Sequence, residues 1–455
     1  MNSGKDYSQE TQEMREELLQ KLHEALEGAL EDRMKSILSG MAPEDIAEIL
    51  SDFSEEEKLK IFNTLNPEDA ATVLDDTDPQ SRLQILNKLD NRKLSQILGE
   101  MPVDEAADIV EEVPEKEREE ILDLLEKEEA EEVEEILSYP EDSAARVMNP
   151  EFVAVKENDD IEAAIQHVRG LELEEEVYYV YVVDESEKLR GIVPLKKLLL
   201  ARKGTLIKDI TDEDVYSIVV DADREEAARI MKKYDLLALP VVDRREKLVG
   251  RITVDDIIDV MDEEVAEDIS KMTGTIEEEW GNETTIKAAG NRLPWLITCM
   301  LGSIVTGLVI QMFEVTLAET IALVSFIPVI TATGGNSGVQ ASTVVIRGIA
   351  LGHMDFSKLR SEIIRQFKIA VGLGLVCGIV LSILADFWKN NSAVGIIVGV
   401  SIFLVVVWSN FVGVFAPMLM KKIKIDPALA AGPLITTLND IIGVFIYLSV
   451  AASFL

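Results

Sequence analysis

The sequence predicts a multidomain membrane protein. It combines an acidic N-terminal α-helical superhelix, a duplicated α/β unit, a short linking segment and a five-helix α transmembrane domain. Three observations carry this. Five long apolar runs fill the last third of the chain, and nearly all the acids that give a formal net charge of −40 precede residue 293. Between these regions a strand-rich pattern occurs twice, 59 positions apart.

The apolar runs come first because they constrain most. Leu293–Phe313, Thr320–Ile346 and Val394–Met420 carry no charge, Ile369–Ala385 is a shorter uncharged run, and Pro427–Leu455 holds one charge, Asp440. A spanning helix needs about 20 mostly apolar residues, so five spans are expected. Lysine and arginine concentrate in two of the connecting loops. Arg347, Lys358, Arg360, Arg365 and Lys368 lie between spans two and three, and Lys421, Lys422 and Lys424 between spans four and five. Basic loops stay cytoplasmic, which places the N-terminal region inside and the C-terminus on the extracellular or periplasmic side. MNSGKDYSQE lacks an apolar core, so no cleaved signal peptide is expected.

Residues 1–143 read as short amphipathic helices with a repeat. MAPEDIAEIL at 41, LNPEDAATVL at 65, LDNRKLSQIL at 89 and MPVDEAADIV at 101 align, with Pro43 and Pro67 each opening a helix before acids. Proline suits the first helical position, and acids favour the positive end of the helix dipole. Stacked repeats of this kind form a superhelix.

From about Ala144 the pattern changes to strands. Val182-Val183-Asp184 precedes Lys188-Leu189 and Gly191; Val241-Val242-Asp243 precedes Lys247-Leu248 and Gly250. The two copies resemble a pair of CBS domains, at 144–204 and 205–262. Lys196-Lys197 of the first copy align with Asp255-Asp256 of the second, so the fold itself does not require acids there. Downstream, Asp256, Asp259 and Glu263 share one helical face. Like charges so spaced repel by tenths of a kcal/mol per exposed pair. Either the face is simply solvated, or a divalent cation relieves the repulsion.

Composition excludes several functions. Only two cysteines occur, Cys299 and Cys377, both in apolar runs, and the three histidines, His23, His167 and His353, are scattered. A disulfide framework or a zinc centre is therefore not expected, and any metal would be held by oxygen. No nucleophile, triad or phosphate loop points to an enzyme, and the acidity opposes nucleic acid. In the membrane part, Asp440 sits mid-span, where an ionised carboxylate costs several kcal/mol unless it faces water or a partner. Thr436 and Thr437 precede it by four and three positions and can share its face. Asn336 and Gln340 in PVITATGGNSGVQAS share a face of span two, and Asn410 lies on span four. Pro433 leaves a carbonyl free in span five, as cavity-lining broken helices do. A water-filled path fits these polar stripes better than packing alone.

Taken together, the NPED-type repeats, the CBS pair, RLPWL at 292–296, PVITATGGNSGVQ and DPALAAGPLITTLND resemble the MgtE family of magnesium channels and transporters over essentially the whole chain. That resemblance implies a homodimer in the plasma membrane with the pore between subunits, Asp440 and Thr436 at the permeating ion, and Asn336, Gln340, Asn410 and Thr437 lining its path. It implies a plug helix in the 263–290 segment before the membrane domain at 291–455. It also implies regulatory Mg²⁺ at Asp104, Asp223, Glu225, Asp235, Asp256, Asp259, Glu264, Glu267, Asp268 and Asp426. Gly432 stands where some relatives carry Asn, and Thr72 where an acid can occur. ATP at the CBS domains is a further expected ligand. Three alternatives stay open from the residues themselves: a transporter of another divalent cation such as Co²⁺ or Mn²⁺, a chloride-type channel, and a membrane-anchored nucleotide sensor.

Overall fold

The computed structural model describes residues 15, 18–26, 28, 30–171, 177–275, 285–350, 354 and 358–454. His353 and the middle of the expected linker lie outside the described residues. The chain divides into two compact units, Met1–Met261 and Asp262–Leu455.

The first unit opens with a helical array of finer period than the sequence alone suggests. Helices start at Glu31, Pro43, Glu55, Pro67, Pro79, Asn91, Val103, Glu115 and Lys127, each 12 residues after the last. Side-by-side packing joins alternate helices: Pro43–Leu50 lies against Pro67–Asp76, and Glu55–Phe62 against Pro79–Leu86. Helices that touch are thus 24 residues apart, which is why the repeat is visible at that spacing. Four helices bury the same internal positions: Ile46, Ala47, Ile49 and Leu50; Ala70, Ala71, Val73 and Leu74; Leu94, Ser95, Ile97 and Leu98; Ala106, Ala107, Ile109 and Val110. Asn66 and Asp78 cap their helices by accepting from the amides of Asp69 and Ser81, which satisfies donors the first turn leaves free.

The α/β part holds two three-stranded sheets. β1 (Ala154–Lys156) pairs parallel with β2 (Tyr179–Val183), and β2 antiparallel with β3 (Leu189–Pro194). β4 (Ile218–Val219), β5 (Ala238–Val242) and β6 (Leu248–Thr253) repeat that order. The duplication extends to turn chemistry. Asp184 accepts from the amides of Ser186 and Lys188, and Asp243 from those of Arg245 and Lys247. Each turn then puts a glutamate, Glu187 or Glu246, in the left-handed region. The two turns clasp each other reciprocally: Lys188 bonds Glu246 at 2.9 Å and Lys247 bonds Glu187 at 2.7 Å. The main apolar core runs from the helical array into the second copy, through Ile218, Leu239, Ile252, Ile257 and Val260.

The second unit holds five helical stretches long and apolar enough to cross a membrane: Thr285–Met312, Ile321–Ala350, Leu359–Lys389, Ser392–Lys422 and Pro427–Phe454, called spans one to five below. Spans one and three outrun their uncharged cores by one or more turns at one or both ends, because the flanking polar residues continue the helix where water is available. Span one begins ahead of Leu293 and passes through Pro294. Spans three and four pack at near backbone contact. A Cβ on Gly378 would lie 2.8 Å from the Gly399 carbonyl oxygen, and one on Gly399 would lie 2.8 Å from that of Gly378. Small residues are how helices associate where lipid removes the hydrophobic drive. Span four is the hub, burying Val394, Ile397, Val398, Ile402, Val405 and Val406 among its neighbours. Span one buries no side chain within the chain.

Candidate ion pathway and cation-binding residues

Span five is built to be interrupted. Asp426 accepts from the Ala428 amide at 2.8 Å and starts a short 3₁₀ turn, Pro427–Ala430. Ala431 is extended, Gly432 takes φ +51°, and the α-helix runs from Gly432 to Phe454. The break therefore sits one residue before Pro433, whose missing N–H is harmless at a helix start.

From that break the side chains fan out. Thr436 donates to the Gly432 carbonyl at 2.9 Å, and its methyl rests on Gly335 of span two. The Thr437 methyl occupies the space above Gly302 of span one. Both threonines thus also serve helix packing. Asp440, one turn on, is partly exposed and has no hydrogen-bonding or ionic partner among the described residues. Asn336 and Gln340 share an exposed face of span two. Asn410 does not join them. It is buried and donates to Ser337 at 2.6 Å and to the Val406 carbonyl at 2.9 Å, tying span four to span two. Asn439, which the sequence reading passed over, is fully buried, and a Cβ on Gly338 would fall 2.2 Å from its amide nitrogen. The adjacent Asn-Asp pair in an apolar run was the available signal.

The expected regulatory acids fall into separate groups. Asp104 is buried in the first turn of Val103–Glu112. Asp223 caps Arg224–Tyr234 by accepting from Glu225 at 2.9 Å, while Asp235 ends the same helix in the left-handed region. At 1.5 Å rise per residue these ends are roughly 18 Å apart, so one chain cannot bring Asp223 and Asp235 to one ion. Asp256 accepts from the backbone and hydroxyl of Thr253 at 2.9 and 2.5 Å. Burial raises its carboxyl above the usual range, against those hydrogen bonds.

One further acid belongs with it. Asp75, at the end of Pro67–Asp76, is pushed up to about 6, first by burial and further by Asp76, Asp259 and Asp256, with Arg82 opposing. Carboxylates from the helical array and from the second CBS copy therefore share one field. Two acids in a helix's last turn oppose the dipole, and that was the sequence signal for Asp75.

In the second unit, Lys271 bonds Asp426 at 2.7 Å and also contacts Glu267. Asp268 is pushed up to about 6, by burial first and then by Asp426 and Glu267. Glu264 is half-buried on the same helix. Among the described residues no three acids, histidines or cysteines converge into a ready cage for a metal. Hydrated Mg²⁺ keeps several waters and needs only one or two carboxylates, so scattered acids fit it better than a dehydrated ion.

A five-span membrane domain with a charged mid-span residue, joined to an acidic helical array and a CBS pair, defines a cation transporter. Family comparison agrees. The MgtE intracellular N domain matches residues 41–142, CBS domains match 144–204 and 207–263, and the MgtE divalent cation transporter domain matches 327–450. Magnesium transporters MgtE of Bacillus subtilis, Enterococcus faecalis and Thermus thermophilus are 35%, 37% and 38% identical to this chain. The aligned regions cover 70%, 70% and 69% of it, and 71%, 70% and 70% of those proteins. Two solved structures align over its soluble part. The soluble part of a magnesium transporter has 31% identity and a TM-score of 0.50, covering 55% of this chain and 99% of that one. The cytosolic domain of the Mg²⁺ channel MgtE in complex with ATP has 34% identity and a TM-score of 0.51, covering 53% and 98%. This chain belongs to the MgtE family.

Proposed function

We propose that this protein carries Mg²⁺ across the plasma membrane as a homodimer, and that cytosolic Mg²⁺ closes it. The observation that carries this reading is Asp440: a mid-span carboxylate, partly exposed, with no partner among the described residues. Such a charge persists in a membrane only where water or an ion meets it. Two copies across a dimer axis, with Thr436 and the exposed Asn336 and Gln340 supplying oxygens, hold a hydrated dication through its waters. This favours a small, strongly hydrated ion over potassium. The exposed face of span one, which buries no side chain within the chain, leaves room for lipid and for a second subunit. Basic loops on one side support a cytoplasmic N-terminus and an external C-terminus.

Closure follows from charge. Asp75, Asp256 and Asp259 repel while metal-free, and Mg²⁺ between them removes that cost. A ligand shifts a conformational balance only by binding one state better, and several shared carboxylates provide the difference. ATP at the CBS pair is proposed from the ATP complex of the related cytosolic domain.

The test is Mg²⁺ flux into liposomes holding the purified protein. Asp440→Ala is expected to lower flux at least tenfold while leaving the protein monodisperse, and Asp440→Glu to keep part of it. Parental flux in the alanine variant would refute the assignment.

A further inference from the structure

The helix Val254–Thr273 ends against the start of span five. Four contacts fix its end within the second unit. The Lys271 ammonium bonds Asp426, 155 positions away, and Glu267, four positions back. Met272 packs among Ile346, Ala428 and Ala431, the end of span two and the beginning of span five. Its carbonyl oxygen lies where a Cβ on Gly432 would be, 2.0 Å from that ideal position. Gly274 closes the turn at φ +74°, with the Trp295 ring of span one 3.1 Å from its ideal Cβ. A helix-surface lysine paired at i+4 would ordinarily be worth little. This one instead joins the helix end to the interrupted segment from which the pathway helix begins.

Lys271 also stands in a particular charge balance. Glu267 and Asp426 touch it and Asp268 is within electrostatic range, so one positive charge faces three carboxyls. Burial works against its charge, and the bonds to Asp426 and Glu267 overcome that, holding the ammonium above the ordinary lysine range. The same acids are those through which a regulatory dication would act.

We infer that Lys271 is a tethered cation that latches the end of the Val254–Thr273 helix onto Asp426 in the absence of metal and competes with Mg²⁺ for the same carboxylates. The inference rests on the proposed transport function for its physiological meaning, but the latch itself is a property of the chain. Two opposite effects follow from removing it. Without metal, the helix end is held less tightly and the conducting state is populated further. With metal, Glu267, Asp268 and Asp426 are freed, and less Mg²⁺ is needed to close it. A lysine serving only to stabilise the fold would not move these two quantities in opposite senses.

The experiment uses the full-length protein in liposomes, with chelator or graded Mg²⁺ on the cytoplasmic face. Lys271→Met keeps the apolar stem. Relative to the parent it is expected to raise flux in chelator roughly two- to fivefold, and to lower the half-closing Mg²⁺ concentration by a similar factor. Lys271→Arg should match the parent, which excludes misfolding as the cause. A second readout needs no transport: with Cys299 and Cys377 replaced by alanine, Met272→Cys and Ala428→Cys are joined by a short bismaleimide in chelator, and Lys271→Met should slow that joining. Superimposed flux curves together with unchanged joining overturn the latch. A parent that passes no Mg²⁺ under any condition overturns the transport reading instead, and the joining rate then decides the latch alone.

Discussion

At the residue scale, the informative positions are those where chemistry and place disagree. A carboxylate inside an apolar run is legible in any sequence, so Asp440 needed no structure to be noticed. Lys271 and Asp426 were not legible as a pair, because 155 residues separate them and each has a plausible local role. Asn410 misled for a related reason. An amide on a membrane helix suits a pore or a helix contact equally well, and only its bond to Ser337 places it in the contact. Gly432 tests the same region from the backbone side. Its φ of +51° costs an alanine about 1–2 kcal/mol, and any Cβ there meets the Met272 carbonyl. Gly432→Ala is therefore expected to displace the helix end and raise the half-closing Mg²⁺ concentration about tenfold in a flux titration. Asparagine tolerates the left-handed region, so Gly432→Asn isolates the steric part. Unchanged titrations for both variants would show that the close approach is irrelevant to closure.

At the element scale, duplication made the CBS pair legible. The 59-residue offset reproduced turns, glutamates in the left-handed region and reciprocal lysine pairs alike. The helical array was legible only at 24 residues, because that is the distance between helices in contact; the 12-residue unit has too little sequence identity of its own to stand out. Asp75 escaped because burial is the first cause of its shift and part of its field comes from Asp259 and Asp256, far off in sequence, in the CBS copy. It yields a pH prediction. With a folded pKa of about 6, above its ordinary value, the stability this carboxyl contributes is full below about pH 4 and is lost as pH rises through 6. At pH 7.5 the ionised group therefore opposes the fold. In urea unfolding of residues 1–261 in chelator, Asp75→Asn is expected to add about 1–2 kcal/mol at pH 7.5. It should add only about a third as much near pH 4.5, and Mg²⁺ should erase the gain at pH 7.5. Equal effects at both pH values would mean that charge is not what the substitution removes.

At the scale of the whole molecule, the chain separates its tasks by composition. The apolar final third supplies spans, close glycine contacts and one mid-span charge. On the function proposed above, the acidic first part supplies a surface whose repulsion depends on the divalent ion the pathway carries, which would turn the transported ion into the signal that stops transport. Neutralising acids has two opposed consequences in such a system: it removes repulsion that favours opening, and it removes ligands that favour closing. Repulsion between exposed acids is screened beyond about 8 Å at physiological ionic strength, whereas an ion held between two carboxylates attracts both at close range. Bridging should therefore dominate. The most direct measurement is flux against Mg²⁺ concentration on the cytoplasmic face, for the parent and for a variant with Asp256, Asp259 and Asp268 changed to Asn and Glu264 to Gln. The parent is expected to close as Mg²⁺ rises, and the variant to conduct normally at low Mg²⁺ and stay open at high. A variant that closes along the parent's curve would contradict the account and move the regulatory sites to other residues.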